Sequence, residues 1–270
     1  MIAATSTLVW FGRDHAGGLL ATVVLAVLLS FVWRSTTTPF ARRRLRRVTC
    51  WGLAALLILN DVVISICDIR ASTYTLKDSL PLHLCDFSAY VTIILLALVG
   101  SGTLRPRWLR VRQFVFELAY FWVIAGTTQA LLTPEISDVF PSRGYLHYFV
   151  MHGGVWAAVC GLTLGLRLRP LPGAVWRVSL ATALLAAPVA LVDWLIGANY
   201  MYLCGPPLRP SLYDYLGPWP WSLAGLGVAG LVTFSLCYSP FWWHDRRVRR
   251  PVLPPHSRHS QSEPQAPARG

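Results

Sequence analysis

Seven apolar stretches follow one another along the chain, at approximately 18 to 33, 48 to 67, 82 to 100, 112 to 132, 145 to 166, 174 to 197 and 217 to 238. An α-helix needs roughly 20 residues to cross a bilayer core. In hydrocarbon only a helix or a closed barrel satisfies every backbone N–H and C=O group. The pattern therefore predicts an all-α, polytopic membrane helix bundle of about seven transmembrane helices. Residues 1–245 read as one folded transmembrane domain without internal repeats. From about 246 onward Pro251, Pro254, Pro255, Pro264 and Pro267 stand among Ser, Gln and Arg, which predicts a disordered basic, Pro-rich tail over 246–270.

Composition agrees with this reading. Hydrophobic residues make up 54% of the 270 and charged residues only 13%, with a mean hydropathy of +0.49. A soluble domain carries about a quarter charged residues. The deficit excludes a soluble enzyme, a disordered chain and a DNA-binding domain, although the formal charge is +12.

Topology accounts for that charge. Arg34, Arg42, Arg43, Arg44, Arg46 and Arg47 follow the first stretch, and Arg105, Arg107, Arg110 and Arg112 follow the third. Arg167, Arg169 and Arg177 surround the fifth-to-sixth connection, and Arg246, Arg247, Arg249, Arg250, Arg258 and Arg269 end the chain. Only Arg13, Arg70, Lys77, Arg143 and Arg209 fall on the other side. By the positive-inside rule the N-terminus is expected outside and the C-terminus in the cytoplasm of a multi-pass protein of the cell membrane. The arginine clusters are expected to touch anionic lipids, not nucleic acid. The first stretch, followed by six arginines and lacking a small-x-small cleavage site, reads as an uncleaved anchor.

Ionisable groups inside spans are costly and mark function by default, so their depth is informative. Asn60 and Asp61 lie in the outer half of the second span, with Asp61, Ser65 and Asp68 on one stripe. His83, Cys85 and Asp86 open the third, Gln129 lies near the outer end of the fourth, and His147 and His152 lie near the start of the fifth. Asp193 and Asn199 close the sixth. Five helices thus place polar groups in one layer, whereas residues that only glue helices together have no reason to gather in one leaflet. Glu117, near the opposite face, reads instead as an interfacial partner for Arg110, Arg112 or Arg177.

The most informative stretch is Leu80 to Ser88. Ser79 is suited to cap a helix there and Pro81 to its first turn, which puts Cys85 near a helix N-terminus, where a thiol is acidified. Asp86 opposes that effect. His83 and Cys85 would point about 200° apart on one helix, so a base for Cys85 must come from elsewhere. His152, in His152-Gly153-Gly154, is the preferred candidate because the glycines let another helix approach closely. A Cys-His pair would support nucleophilic acyl transfer, with Asp193 or Asp61 orienting the imidazole. The nearest abundant ester would be a phospholipid. His83, Asp86, Asn60, Gln129, His147, Asn199 and Tyr200 remain as binding residues of the same pocket. The loop from Gly197 to Trp221 is rich in interfacial Tyr and Trp anchors and could also act as a lid.

Leu82-His83-Leu84-Cys85-Asp86, His152-Gly153-Gly154, Asn199-Tyr200-Met201-Tyr202-Leu203 and Leu216-Gly217-Pro218-Trp219-Pro220-Trp221, in that order, resemble the YwaF-like family of bacterial integral membrane proteins. That family is distantly similar to a eukaryotic transmembrane group that includes an acyltransferase acting on ether phospholipids. The resemblance implies membrane-embedded acyl chemistry with a Cys at the position of Cys85 and a His at that of His152. It departs from the family at Cys204-Gly205-Pro206-Pro207, where a basic residue often precedes the proline.

A second reading competes: a transporter or ligand-binding membrane protein using Asp61, Asp193 and His152 as proton or ligand groups. A retinal protein is excluded, because Lys77 is the sole lysine and falls in a loop. No same-face His pair or Cys-x-x-Cys offers a metal or heme site, so no cofactor is expected; the expected partners are membrane lipids. A disulfide between Cys67 and Cys204 is possible in an oxidising exterior.

Overall fold

The protein was analysed as a computed structural model that describes residues 8–35, 38–102, 105–207 and 212–248. The predicted tail from 249 on, with Arg249, Arg250, Arg258 and Arg269, lies outside these, as does Arg209. Among the described residues the chain is all-helical. The long helices are α1 (Arg13–Ser35), α2 (Pro39–Arg70), α3 (Leu84–Gly100), α4 (Pro106–Leu132), α5 (Arg143–Leu164), α6 (Ala174–Ile196) and α7 (Trp221–Val248). Five of them, α1, α2, α4, α6 and α7, are long and apolar enough to cross a membrane; α3 is apolar but has 17 residues. At 1.5 Å per residue α3 is about 25 Å long, somewhat under a hydrocarbon core of about 30 Å.

Local chemistry sets the helix ends. The Thr38 side chain accepts from Ala41 N at 3.3 Å and Pro39 opens α2; Ser142 Oγ accepts from Tyr145 N at 3.3 Å to start α5. Gly197, at φ 68°, closes α6. Two expectations shift here. Helix α3 starts at Leu84 with His83 as its extended N-cap, while Ser79 Oγ accepts from Thr75 N in the preceding turn. Helix α7 begins at Trp221 and continues to Val248, beyond the expected tail boundary. Pro218 and Pro220 disfavour the α conformation at Gly217 and Trp219, the residues before them, so the helix starts after the second proline.

Helix α5 is the centre of the bundle, packing against α1, α2 and α3, while α3 also packs against α2 and α4. Its contact with α1 is made through small residues at four-residue spacing. Gly153, Ala157 and Gly161 of α5 are buried against a stripe on α1 that contains Gly18, Thr22 and Ala26. A Cβ on Gly18 would overlap the Phe149 ring, and one on Gly153 would overlap Thr22 Oγ1. Such reciprocal small-x-x-x-small stripes bring two helices close enough for dispersion contact along their length, which drives association where surrounding lipid is as apolar as the side chains. The other side of α1 exposes Leu20, Val27 and Phe31, and α6 exposes Leu180, Leu184, Leu191 and Trp194.

At the arginine-rich end Glu117 is the organising group. Its carboxylate, 1% exposed, accepts from Arg177 Nε and Nη2 at 2.8 to 3.0 Å, from Leu171 N at 3.0 Å and from Gln113 Nε2 at 3.2 Å. Of the three arginines considered from sequence, Arg177 is the partner, and the bond ties α4 to α6. Arg169 bonds Asp245 at 2.7 Å and so fastens the α5–α6 connection to α7.

Two substitutions test this packing. Gly17 and Gly18 are neighbours on α1 and gain the same roughly 1 kcal/mol of helix propensity as alanine. Only Gly18 faces another ring, since a Cβ on Gly17 meets nothing within 4 Å. Gly17→Ala is expected to leave the melting temperature in detergent unchanged or raise it, and Gly18→Ala to lower it through overpacking of about 1–3 kcal/mol. Arg177→Ala, which strands the buried Glu117 carboxylate, is expected to cost more than Glu117→Gln in the same melting assay.

Candidate functional site

The polar layer lies at the end opposite to Glu117, where three connections meet: 71–83, 133–142 and 197–220. Tyr200 stitches two of them. It is fully buried, its hydroxyl accepts from Leu80 N at 2.8 Å and donates to Leu76 O at 3.0 Å, and its own N–H donates to Asp193 Oδ1 at 2.9 Å. Asn199 folds the same loop on itself, accepting from Cys204 N at 2.9 Å and donating to Gly205 O at 3.1 Å. Met201 and Tyr202 follow at φ 54° and 57°, a left-handed pair without glycine. Such backbone is costly and is held only where surrounding contacts over-determine it. Here it turns the Tyr202 hydroxyl onto Glu135 Oε2 at 3.1 Å, joining the third connection. Burial and the neighbouring Glu135 carboxylate push the Tyr202 phenol up to about 12, so it remains a neutral donor at physiological pH.

His83 stands under this loop. Its ring lies 5.1 Å from that of Tyr200 and 5.8 Å from that of Tyr202, and Met201 N–H approaches its Nδ1 at 3.4 Å. Burial lowers its affinity for a proton, and Asp193, Glu135 and Asp78 partly restore it. The His83 backbone N–H donates to Asp86 Oδ2 at 2.9 Å, which gives Asp86 the role of capping α3. Cys85 is therefore in the first turn of α3. Its electrostatic neighbours are Asp86, Glu135, Tyr148 and Tyr202.

His152 belongs to a stripe on α5, Tyr148-His152-Trp156, that faces the end of α4. Tyr148 donates to Ala130 O at 2.6 Å and Trp156 Nε1 to Thr128 Oγ1 at 3.0 Å, so both ends of the stripe are anchored to the end of α4. It stacks on Tyr148 at 4.1 Å, and its Nδ1 lies 3.1 Å from the Tyr148 carbonyl oxygen. A carbonyl oxygen can only accept, so in the neutral ring Nδ1 carries the proton and Nε2 the lone pair. Nε2 is then the atom of this ring able to accept a proton. The part of α4 facing this region is π-helical, Trp122–Thr127, and the buried Thr127 hydroxyl has no hydrogen-bond partner. Single-turn π segments recur at functional sites.

The structure brings some expected residues together and separates others. Cys85 and His152 make no hydrogen bond to each other; Tyr148 is stacked on His152 and within electrostatic reach of Cys85. The group that orients His152 is the Tyr148 carbonyl. Asp61 receives the Tyr90 hydroxyl at 3.4 Å, and Asp193 receives Tyr200 N, its second oxygen Oδ2 being buried without a partner. Asn60 pairs with His147 at 3.0 Å, Asp68 with Arg143 at 3.1 Å, and Gln129 is exposed. All six cysteines, Cys67 and Cys204 included, are free thiols. A groove of about 520 Å³ between α1, α2 and α5, with Arg13 and Asp14 at one end, is lined by neither Cys85 nor His152.

Glu135, Tyr148 and Tyr202 are the members of the cluster that sequence reasoning passed over. Tyr148 carried a signal, one helical turn before His152. Glu135 carried none, since a lone acid in a polar connection is ordinary.

The His83 environment has a pH consequence. The folded protein holds this ring neutral to a lower pH than the unfolded chain, whose histidine titrates near 6.5. Below that value the unfolded state binds more protons, so stability falls with pH. Wild-type melting temperature is expected to drop as the pH falls below about 6.5, and His83→Gln to flatten that part of the profile.

Comparison with known proteins gives a family. The model of the TMEM164 family matches residues 10–238. No curated protein and no solved structure matches the chain. The matched span runs from the start of α1 into α7 and includes every residue of the polar layer, and the chain belongs to the TMEM164 family, a family of transmembrane proteins.

Proposed function

We propose that the protein is a membrane-embedded phospholipid acyltransferase or hydrolase with Cys85 as nucleophile and His152 as general base. The observation that supports this most is the His152 tautomer, set by the Tyr148 carbonyl so that Nε2 carries the ring's lone pair. In the reaction Nε2 takes the Cys85 thiol proton as sulfur attacks the ester carbonyl. Collapse of the tetrahedral intermediate expels the lysolipid alkoxide, which takes that proton back. The thioester then passes its acyl group to an acceptor hydroxyl or to water, with His152 again as base. The free Thr127 hydroxyl supplies a neutral donor for the developing oxyanion or the headgroup. The alternation of basic connections supports a topology with this layer at the outer leaflet of the cell membrane, the N-terminus outside and the C-terminus cytoplasmic.

A second reading, ligand binding or transport without covalent chemistry, is favoured by one observation: Asp193 Oδ2 and Thr127 Oγ1 are buried polar atoms that a polar ligand would satisfy. Turnover separates the two. Purified protein in phospholipid vesicles is expected to release lysophospholipid or fatty acid; Cys85→Ala should abolish this, Cys85→Ser should restore little, and His152→Ala should slow it by about 10²–10⁴-fold. Equal turnover in Cys85→Ala would end the nucleophile assignment.

A further inference from the structure

The end of the bundle away from the polar layer holds a second unusual arrangement. Helices α2 and α4 both pack on α3, and each brings one half-buried guanidinium toward its C-terminal end: Arg46 and Arg112. The position of Arg46 follows from its neighbour one turn on, since Gly100, the last residue of α3, abuts Cys50 and Trp51. Arg46 Nε is closed to solvent and has no hydrogen-bond partner. The two guanidiniums are near enough to repel each other.

Among the described residues no carboxylate at this end of the bundle neutralises them. Glu117 is committed to Arg177 and Asp245 to Arg169. Among the described residues no acidic side chain pairs with Arg46 or Arg112. The carbonyl end of α3 offers roughly half a negative charge, against two full positive ones. Like charges at the edge of a low-dielectric region interact far more strongly than in water, and an oxyanion between them would convert the repulsion into charge-assisted, bidentate hydrogen bonds.

We propose that Arg46 and Arg112 form a binding site for a phosphate group, presented by an anionic phospholipid headgroup or by free phosphate. The site is independent of the acyl chemistry at the opposite end. It differs from a diffuse basic surface in that two named arginines on different helices converge, while Arg43 and Arg107 are exposed on the same helices.

The test uses the full-length protein, with phosphatidylglycerol, phosphatidylcholine and inorganic phosphate as probes. Native mass spectrometry is expected to show one phosphatidylglycerol retained through mild detergent stripping where phosphatidylcholine is lost. Arg46→Gln with Arg112→Gln should weaken that retention about tenfold or more, while Arg43→Gln with Arg107→Gln should leave it unchanged. This result assigns a headgroup site. Retention equal in all variants, together with stabilisation of the wild type alone by millimolar phosphate in phosphatidylcholine nanodiscs, assigns a free-anion site. A stability comparison keeps the proposal testable with a single substitution. Without phosphatidylglycerol or phosphate, Arg112→Gln removes the repulsion and should melt higher than wild type; with phosphatidylglycerol the order should reverse. Retention and melting order that respond to neither substitution nor probe would overturn the proposal.

Discussion

The close contact between α1 and α5 is the constraint on which the rest of the bundle depends. Lipid supplies no hydrophobic force to gather helices, so association rests on how closely their surfaces fit. Gly18, Thr22 and Ala26 on one helix and Gly153, Ala157 and Gly161 on the other remove the bulk that would hold the backbones apart. With α1 seated, α5 becomes the buried centre, presenting His147 to α2 and the Tyr148-His152-Trp156 stripe to the end of α4. The same helix thus carries the structural seam and the candidate base on different sides.

Glu117 and the polar layer use their polar groups in different ways. Around Glu117 the hydrogen-bonding capacity is filled: four donors from three segments converge on one carboxylate, and the outcome is a rivet. In the other layer the accounting leaves remainders. His152 Nε2 has no partner among the described residues, and Thr127 Oγ1 and Asp193 Oδ2 are buried and unpartnered. Buried polar groups are almost always satisfied in proteins, so Thr127 Oγ1 and Asp193 Oδ2 leave hydrogen-bonding capacity open to a ligand in this layer, while Arg46 Nε, Thr163 Oγ1 and Ser179 Oγ are the unpartnered atoms toward the other end. The loop that covers the layer is held by Tyr200 at its root and by the left-handed Met201-Tyr202 pair at its tip.

Hydropathy made the helical class and the seven long helices legible, because a span is a long signal averaged over about twenty residues. Pairing was harder. The polar layer was visible as a depth, and Gly153-Gly154 rightly pointed to close helix approach, but through contacts with Thr22 and Leu57 instead of with the helix of Cys85. Asn60 and His147 meet, which separation along the chain does not announce. The orienter of His152 is a backbone carbonyl, and main-chain groups leave no trace in residue identity. The π-helical segment in α4 was equally hidden, since Trp122 to Thr127 has no composition that distinguishes it from α-helix. The reciprocal stripe on α1 and α5 was readable as a four-residue period and became meaningful only with its partner known.

The central claim is that Cys85 forms a covalent acyl intermediate with help from His152. Peptide mass spectrometry of the protein after brief incubation with mixed phospholipids and acid quench tests it most directly. The account predicts an acyl mass on the Cys85 peptide that hydroxylamine removes and that is absent in His152→Ala. An unmodified Cys85 that also resists a small alkylating agent would contradict it, and would identify the thiol as a packing group beneath a ligand-binding layer.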